Sequence, residues 1–197
     1  MNKRAVSIFV FLLLGVAYMV TCSGCSGAGK YKKYSSKDPE LNITMDYIPG
    51  WESSETRGAH NSYADVFFGE PWDKVGAKTR RAAIEVTSVQ ASRAGEIQAF
   101  AEGIIAGKLK LNEGKLLDKA EIKLPAGKAM DLTFSSKGLD KLYSASAKLI
   151  PVKERVVILK NGGRVYTVRY ENREEAFEKY SKDFSHIVKS IRFKEKR

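Results

Sequence analysis

Residues 155–171 read Arg155-Val156-Val157-Ile158-Leu159-Lys160-Asn161-Gly162-Gly163-Arg164-Val165-Tyr166-Thr167-Val168-Arg169-Tyr170-Glu171. Val156 to Leu159 is an unbroken apolar run, the pattern of a strand covered on both faces. Asn161-Gly162-Gly163 follows, and these residues tolerate positive φ, which marks a hairpin. The returning segment alternates, with Tyr166, Val168 and Tyr170 on one face.

Downstream, Phe177, Tyr180, Phe184, Ile187 and Val188 form an apolar stripe at helical spacing. Glu175 with Lys179, and Glu178 with Lys182, are spaced as i,i+4 ion pairs on its exposed side. Ser190 to Phe193 reads as a short edge strand or extended tail. Upstream, Leu116, Ala120, Ile122 and Leu124 alternate with charged residues, Pro125-Ala126-Gly127 turns the chain, and Met130, Leu132 and Phe134 alternate in a further strand. Ser144 to Leu149 is a weaker strand candidate. Gly95 to Leu111 changes period: Ile97, Phe100, Ile104, Ile105 and Leu109 share one helix face, although Gly103 and Gly107 weaken that helix by about 1 kcal/mol each. Nearer the N-terminus, Leu41, Ile43, Met45 and Tyr47 alternate, Ile48-Pro49-Gly50-Trp51 turns, and Ala64–Gly69 and Ala82–Gln90 are strands. Glu70 to Arg81 is a polar loop with Trp72 in its middle. Strands, a helix, several antiparallel strands and a closing helix predict an α+β fold, an antiparallel β-sheet with helices packed on it.

The chain has 197 residues, 43% of them hydrophobic, which suffices for a packed core and excludes wholesale disorder. Two cysteines exclude a disulfide scaffold, and two histidines argue against a His-based metal site. Lys3 and Arg4 precede Ala5–Val20, sixteen residues without charge. That is a basic n-region and an apolar h-region, short against the ~20 residues of a spanning helix. Cys22-Ser23-Gly24-Cys25 has CxxC spacing, and Gly24 to Lys30 fits GxxxxGK. The first closes a signal segment, and the second is followed by Tyr31 where magnesium binding needs Ser or Thr.

Ser23-Gly24-Cys25 resembles the end of a bacterial lipobox, in which small residues precede a cysteine that is lipidated after cleavage. Cys22 stands where that pattern has an aliphatic residue, Cys22 is itself the rival site, and an uncleaved N-terminal anchor, which would still put the domain outside the cytoplasm, is the other reading. The resemblance implies residues 1–24 as a lipoprotein signal peptide, 25–37 as lipidated cysteine and flexible linker, and 38–197 as one domain. Cleavage removes two bases and no acid, leaving 32 basic against 23 acidic residues, +9. Two or more acyl chains hold a protein on a membrane stably. Lys30, Lys32 and Lys33 follow the anchor, either near anionic headgroups or in a solvated tether. Ser26 after the cysteine is similar to the pattern of outer-membrane lipoproteins, facing the periplasm.

Leu41-Asn42-Ile43 through Tyr47-Ile48-Pro49-Gly50-Trp51, with the closing Phe184-Ser185-His186-Ile187-Val188-Lys189-Ser190-Ile191-Arg192-Phe193, resembles PsbP-like domains. The resemblance covers residues 38–194 and implies the Mog1/PsbP-like fold, shared by the photosystem II extrinsic protein PsbP, the Ran-binding Mog1 and the periplasmic lipoprotein DcrB. Such relatives are mostly binding or assembly factors. The implied function is a non-catalytic, membrane-anchored module for an envelope protein complex. A lipid or small-ligand carrier, with its pocket between sheet and helices, is the alternative.

Chemistry-bearing residues are sparse. His60 lies in a polar segment without an evident partner, and His186 sits in the last turn of the closing helix, where its charged form suits the dipole. No nucleophile–base constellation, calcium loop or cofactor motif is present. Trp51 belongs to the core by its place after the first strand. Trp72, beside Pro71 and near Tyr63, has the character of an exposed interface anchor. Lys74, Lys78, Arg80 and Arg81 form a basic cluster on the same loop. For an exported protein, headgroups, envelope polyanions or an acidic protein surface suit that cluster better than nucleic acid. The expected partner-binding set is therefore Tyr63, Trp72, Lys78, Arg80 and Arg81, within segment 58–81.

Overall fold

The computed structural model describes residues 30–57, 63–72, 79–91, 96–141 and 144–194. The elements are β1 (Lys32–Ser35), β2 (Ile43–Tyr47), β3 (Glu52–Arg57), β4 (Tyr63–Gly69), β5 (Ala83–Gln90), α1 (Ile97–Lys108), β6 (Lys115–Leu124), β7 (Gly127–Leu139), β8 (Leu149–Asn161), β9 (Arg164–Arg173), α2 (Glu178–Ser190) and β10 (Arg192–Phe193). Seven strands form one antiparallel sheet in the order β3-β4-β5-β9-β8-β7-β6, and β1-β2-β10 form a second. The expected α+β architecture, an antiparallel sheet with helices packed on it, is what the chain adopts.

The apolar run of β8 divides between two cores. Val157 and Leu159 join Val66, Phe68, Val86, Val168 and Tyr170 under β2 and α2. Val156 and Ile158 join Met130, Leu132, Phe134 and Val165 under α1. Successive strand side chains point to opposite faces, so a continuous apolar run serves both. The hairpin closes at Gly162, with φ +56°, and Asn161 pairs with Arg164.

The alternation in β6 is interrupted. Leu116 pairs with Phe134 but Asp118 with Thr133, so Leu117 is an extra, half-exposed residue. This bulge turns the strand over: Leu116 packs on the α1 side, whereas Ile122 and Leu124 pack on the α2 side. A helix weakened by two glycines survives because Ala101 and Ile105 are buried on the sheet.

Three expectations need correction. Lys32–Ser35, expected within a flexible linker, is β1: its backbone pairs with β2, and Tyr34 meets Phe68 edge-on. Ser144 to Lys148 is turn, and the strand starts at Leu149. On α2 the local i,i+4 pairs give way to tertiary ones: Lys179 bonds Glu70 at 2.8 Å, and Lys153 reaches Glu178 at 3.5 Å. A further strand, β3, was not expected. Its sequence, Glu52-Ser53-Ser54-Glu55-Thr56-Arg57, is exposed throughout and offers no apolar alternation.

Buried polar groups tie the layers. Arg155 grips Asp131 through Nε at 2.9 Å and Nη2 at 2.6 Å, and its Nη1 donates to Ser185 Oγ of α2 at 2.8 Å. The Tyr170 hydroxyl donates to the Phe177 carbonyl at 2.7 Å, and Asn172 Nδ2 to the Ala176 carbonyl at 2.9 Å, fixing the entry into α2.

Two predictions arise here. A Cβ at Gly103 meets nothing within 4 Å, so Gly103→Ala should stabilise the protein by about 0.5–1 kcal/mol in denaturant titration; a loss would mean that the helix surface there is occupied. Burial pushes the Asp65 carboxyl above its ordinary range, and Asp65 Oδ1 has no hydrogen-bond partner among the described residues. A raised folded-state value makes the ionised form a cost that sets in as pH rises through the carboxylate range and persists at neutrality. Asp65→Asn should therefore raise the melting temperature at neutral pH, with the gain shrinking in acid. A gain independent of pH would contradict that cause.

Candidate functional site

β3 begins, β4 and β9 end, and β5 begins at one end of the large sheet. Trp72, Arg80 and Arg81 sit on the connection that leaves β4 and enters β5. The Arg81 guanidinium stacks on the Trp72 ring at 4.1 Å and lies 5.5 Å from Phe67. Its Nη1 donates to Glu52 Oε2 and to the Glu70 carbonyl, both close, and the side chain is 11% exposed. Gly69 leaves room for it: a Cβ there would come within 2.9 Å of the guanidinium carbon. Arg80 faces the other way, to Glu171 Oε1 at 2.5 Å and the Leu139 carbonyl at 3.1 Å. Its backbone N–H bonds the Asp140 carbonyl, and Thr79 bridges Lys141, so the connection is stitched to the end of β7.

Glu70 is the hub. It is buried, and it accepts from Lys179 Nζ at 2.8 Å and Tyr180 Oη at 2.7 Å. The Glu70 carboxylate raises the Lys179 ammonium above its ordinary range, and burial does the same to the Tyr180 phenol. Tyr180 in turn meets Trp51 edge-on at 5.0 Å. Trp51 is buried as expected, held by the turn at Gly50, whose φ is +80°. Beside Glu70 lies a cavity of about 230 Å³ lined by Arg80, Arg81, Arg173, Lys179, Asn172 and Glu175 among others.

The structure brings together three of the five expected residues. Trp72, Arg80 and Arg81 share this end of the sheet. Tyr63 opens β4, opposite Val89, and the seven-residue strand separates it from Trp72 by about 20 Å. It is exposed but belongs to the other end. Lys78 lies outside the described residues, as do Lys74, His60, Cys22 and Cys25. The basic cluster is also not a free one: Arg80 and Arg81 are struts, each committed to a glutamate, and Trp72 is half-buried beneath a guanidinium. Leu139 and Leu149 were not expected in the site. They pair across β7 and β8 at this end, 46% and 50% exposed. Their signal is weak in sequence, because only the end of an otherwise buried strand pair is bare.

His186, on α2, bonds Asp46 at 2.8 Å and stacks on Tyr31 at 4.0 Å. Between the large sheet and α2, where a carried ligand would sit, Tyr170, Phe184, Ile187 and Val168 fill the layer, each at most 1% exposed. Among the described residues no cluster of three His, Cys, Asp or Glu is placed to hold a metal, and no helix is long and apolar enough to cross a membrane.

No family model matches the sequence, and no curated protein matches it significantly. Solved structures do match. Cyanobacterial PsbP (CyanoP) from Synechocystis sp. PCC 6803 aligns with a TM-score of 0.53 at 12% identity, over 89% of this chain and 98% of that one. PA94 from Pseudomonas aeruginosa, a protein of unknown function and putative regulator, aligns with a TM-score of 0.54 at 10% identity, over 85% and 100%. The Ran-binding protein Mog1p of Saccharomyces cerevisiae aligns at 0.47 and 9% identity, over 83% and 95%. The chain has a PsbP-like α+β fold.

A Cβ at Gly138 would stand 2.5 Å from Arg80 Nη1. Gly138→Ala should therefore dislodge Arg80 from Glu171 and cost about 1–3 kcal/mol, read as a lower denaturation midpoint. An unchanged midpoint would show that Arg80 does not brace this end.

Proposed function

We propose that this protein is an exported, lipid-anchored docking module of the bacterial envelope, acylated at Cys25 and acting without catalysis. In this reading the end of the sheet carrying Trp72 contacts a protein partner. The observation that supports it most is the Trp72–Arg81 stack. Binding energy concentrates in Trp, Tyr and Arg side chains that are held in place before the partner arrives. Arg81 is held by Glu52 and the Glu70 carbonyl, Glu70 by Lys179 and Tyr180, and Trp72 rests against Arg81. Leu139 and Leu149 add exposed apolar surface at the same end of the sheet.

The anchor reading rests on the basic and apolar N-terminal segment followed by Ser23-Gly24-Cys25. The partner role is favoured over a carrier role by the filled layer between sheet and α2. Arg80 and Arg81 serve it indirectly, by shaping the platform, so truncating either one would confound binding with folding.

Crosslinking in intact cells with affinity recovery and mass spectrometry tests the reading. Wild type should capture a discrete envelope protein through the Trp72 end. Trp72→Ala should reduce that capture at least tenfold, the scale of a hot-spot residue, with the melting temperature held within a few degrees because Arg81 keeps its other partners. Equal capture by Trp72→Ala would move the contact elsewhere. Cys25→Ala should abolish acyl labelling and leave a heavier precursor, and persisting label would assign Cys22.

A further inference from the structure

Beside the small sheet, β1, β2 and the C-terminal half of α2 line an open cavity of about 570 Å³. Lys33, His186, Lys189 and Arg192 line it, with Asp46 as its carboxylate. That carboxylate is committed internally. Asp46 is 8% exposed and takes Lys33 Nζ at 2.6 Å and His186 Nε2 at 2.8 Å. Burial works against its ionisation, yet the Lys33 and His186 contacts prevail and hold the carboxyl below its ordinary range. Lys189 and Arg192 have no carboxylate partner among the described residues. The Arg192 guanidinium donates to the Lys189 and Ile191 carbonyls at 2.8 and 2.7 Å, which fixes it at the end of α2. The lining thus keeps an excess of positive charge with no anion to meet it.

The start of the described chain lies on the same helix. The Tyr31 ring stacks on His186, its hydroxyl donates to Asp183 at 2.6 Å, and Lys30 pairs with Asp183 at 2.8 Å. Cys25 stands five residues before Lys30, a reach of at most about 18 Å. An acylated Cys25 would therefore keep this side of the domain within about 18 Å of its membrane anchor.

We propose that this cavity receives the phosphate of an anionic phospholipid headgroup and so sets how the domain stands on its membrane. Phosphate matches the Arg192 guanidinium and the Lys189 ammonium, with Lys33 beside them in its pair with Asp46, and negatively charged lipid attracts basic groups close to the surface. The proposal rests on the anchored reading for its distance and adds a second, electrostatic contact to it.

The test uses the full chain reconstituted into vesicles of phosphatidylcholine, or of phosphatidylcholine with phosphatidylglycerol, followed by amine acylation read by mass spectrometry. Lys33 and Lys189 should react about threefold more slowly, or slower still, in the phosphatidylglycerol vesicles. Lys128, at the start of β7, serves as the reference and should not change. Lys189→Glu should remove the protection of Lys33, and Arg192→Glu that of both lysines. Equal reactivity in the two vesicles overturns the proposal. Equal protection by soluble glycerol phosphate, in neutral vesicles, overturns the membrane source in favour of a free organic phosphate. Acyl labelling in the same preparation separates the two readings. Labelled but unprotected protein refutes the cavity alone. Unlabelled protein refutes the anchor, while phosphatidylglycerol-dependent protection still decides the cavity.

Discussion

The architecture depends on one strand having to be dry on both sides. Val156 and Ile158 of β8 point one way and Val157 and Leu159 the other, each at most 2% exposed. Burying one such side chain is worth about 1.5–3 kcal/mol, so neither face can be left to water. One face recruits α1, a helix of modest intrinsic propensity that exists because Met130, Leu132 and Phe134 need a lid. The other recruits α2 and β2, whose Phe184, Ile187, Ile43 and Met45 complete the larger core. The bulge at Leu117 follows from the same demand, since it lets a single strand contribute to both cores.

This explains what was legible in the sequence. The β8–β9 hairpin, α2 and the alternation of β7 announce themselves because their burial follows a strict period. β3 and β1 do not, because edge strands are held by backbone pairing and expose most side chains, so Glu52-Ser53-Ser54-Glu55-Thr56-Arg57 looks like loop. Of the site, Trp72 and Arg81 were visible as residues but not as a stack. Arg81 meets Glu52 across 29 positions and Arg80 meets Glu171 across 91, separations that local spacing does not encode. The ion pairs on α2 teach the same point. Lys179 has Glu175 one turn away and chooses buried Glu70 instead, because a carboxylate shielded from water attracts a cation more strongly than an exposed one.

Charge is therefore a poor guide until partners are known. The chain carries +11, yet Arg80, Arg81, Arg155 and Arg164 are all paired within the fold. Arg155 and Arg164 bind layers together: the first joins β7 to α2, the second joins β9 to the segment before β2. What sets Lys189 and Arg192 apart from these four arginines is not their sign but that they line one cavity with no acid paired to them among the described residues. A high isoelectric point reports how many bases a chain has, whereas recognition depends on which of them the fold leaves unanswered.

The small sheet has a consequence for the order in which the protein folds. β2 sits between β1 and β10, and Asn42 exchanges bonds with Lys194: its side-chain amide donates to the Lys194 carbonyl at 3.0 Å, and the Lys194 N–H to the Asn42 carbonyl at 3.1 Å. These groups lie 152 positions apart. β1 and β2 can pair early, but the layer cannot be finished until β10 is free to reach β2. Contacts of such long sequence separation form slowly, since a large loop must close before they reward it. The small layer is thus the late-closing part of the fold, whereas the β8–β9 hairpin needs only neighbours in sequence.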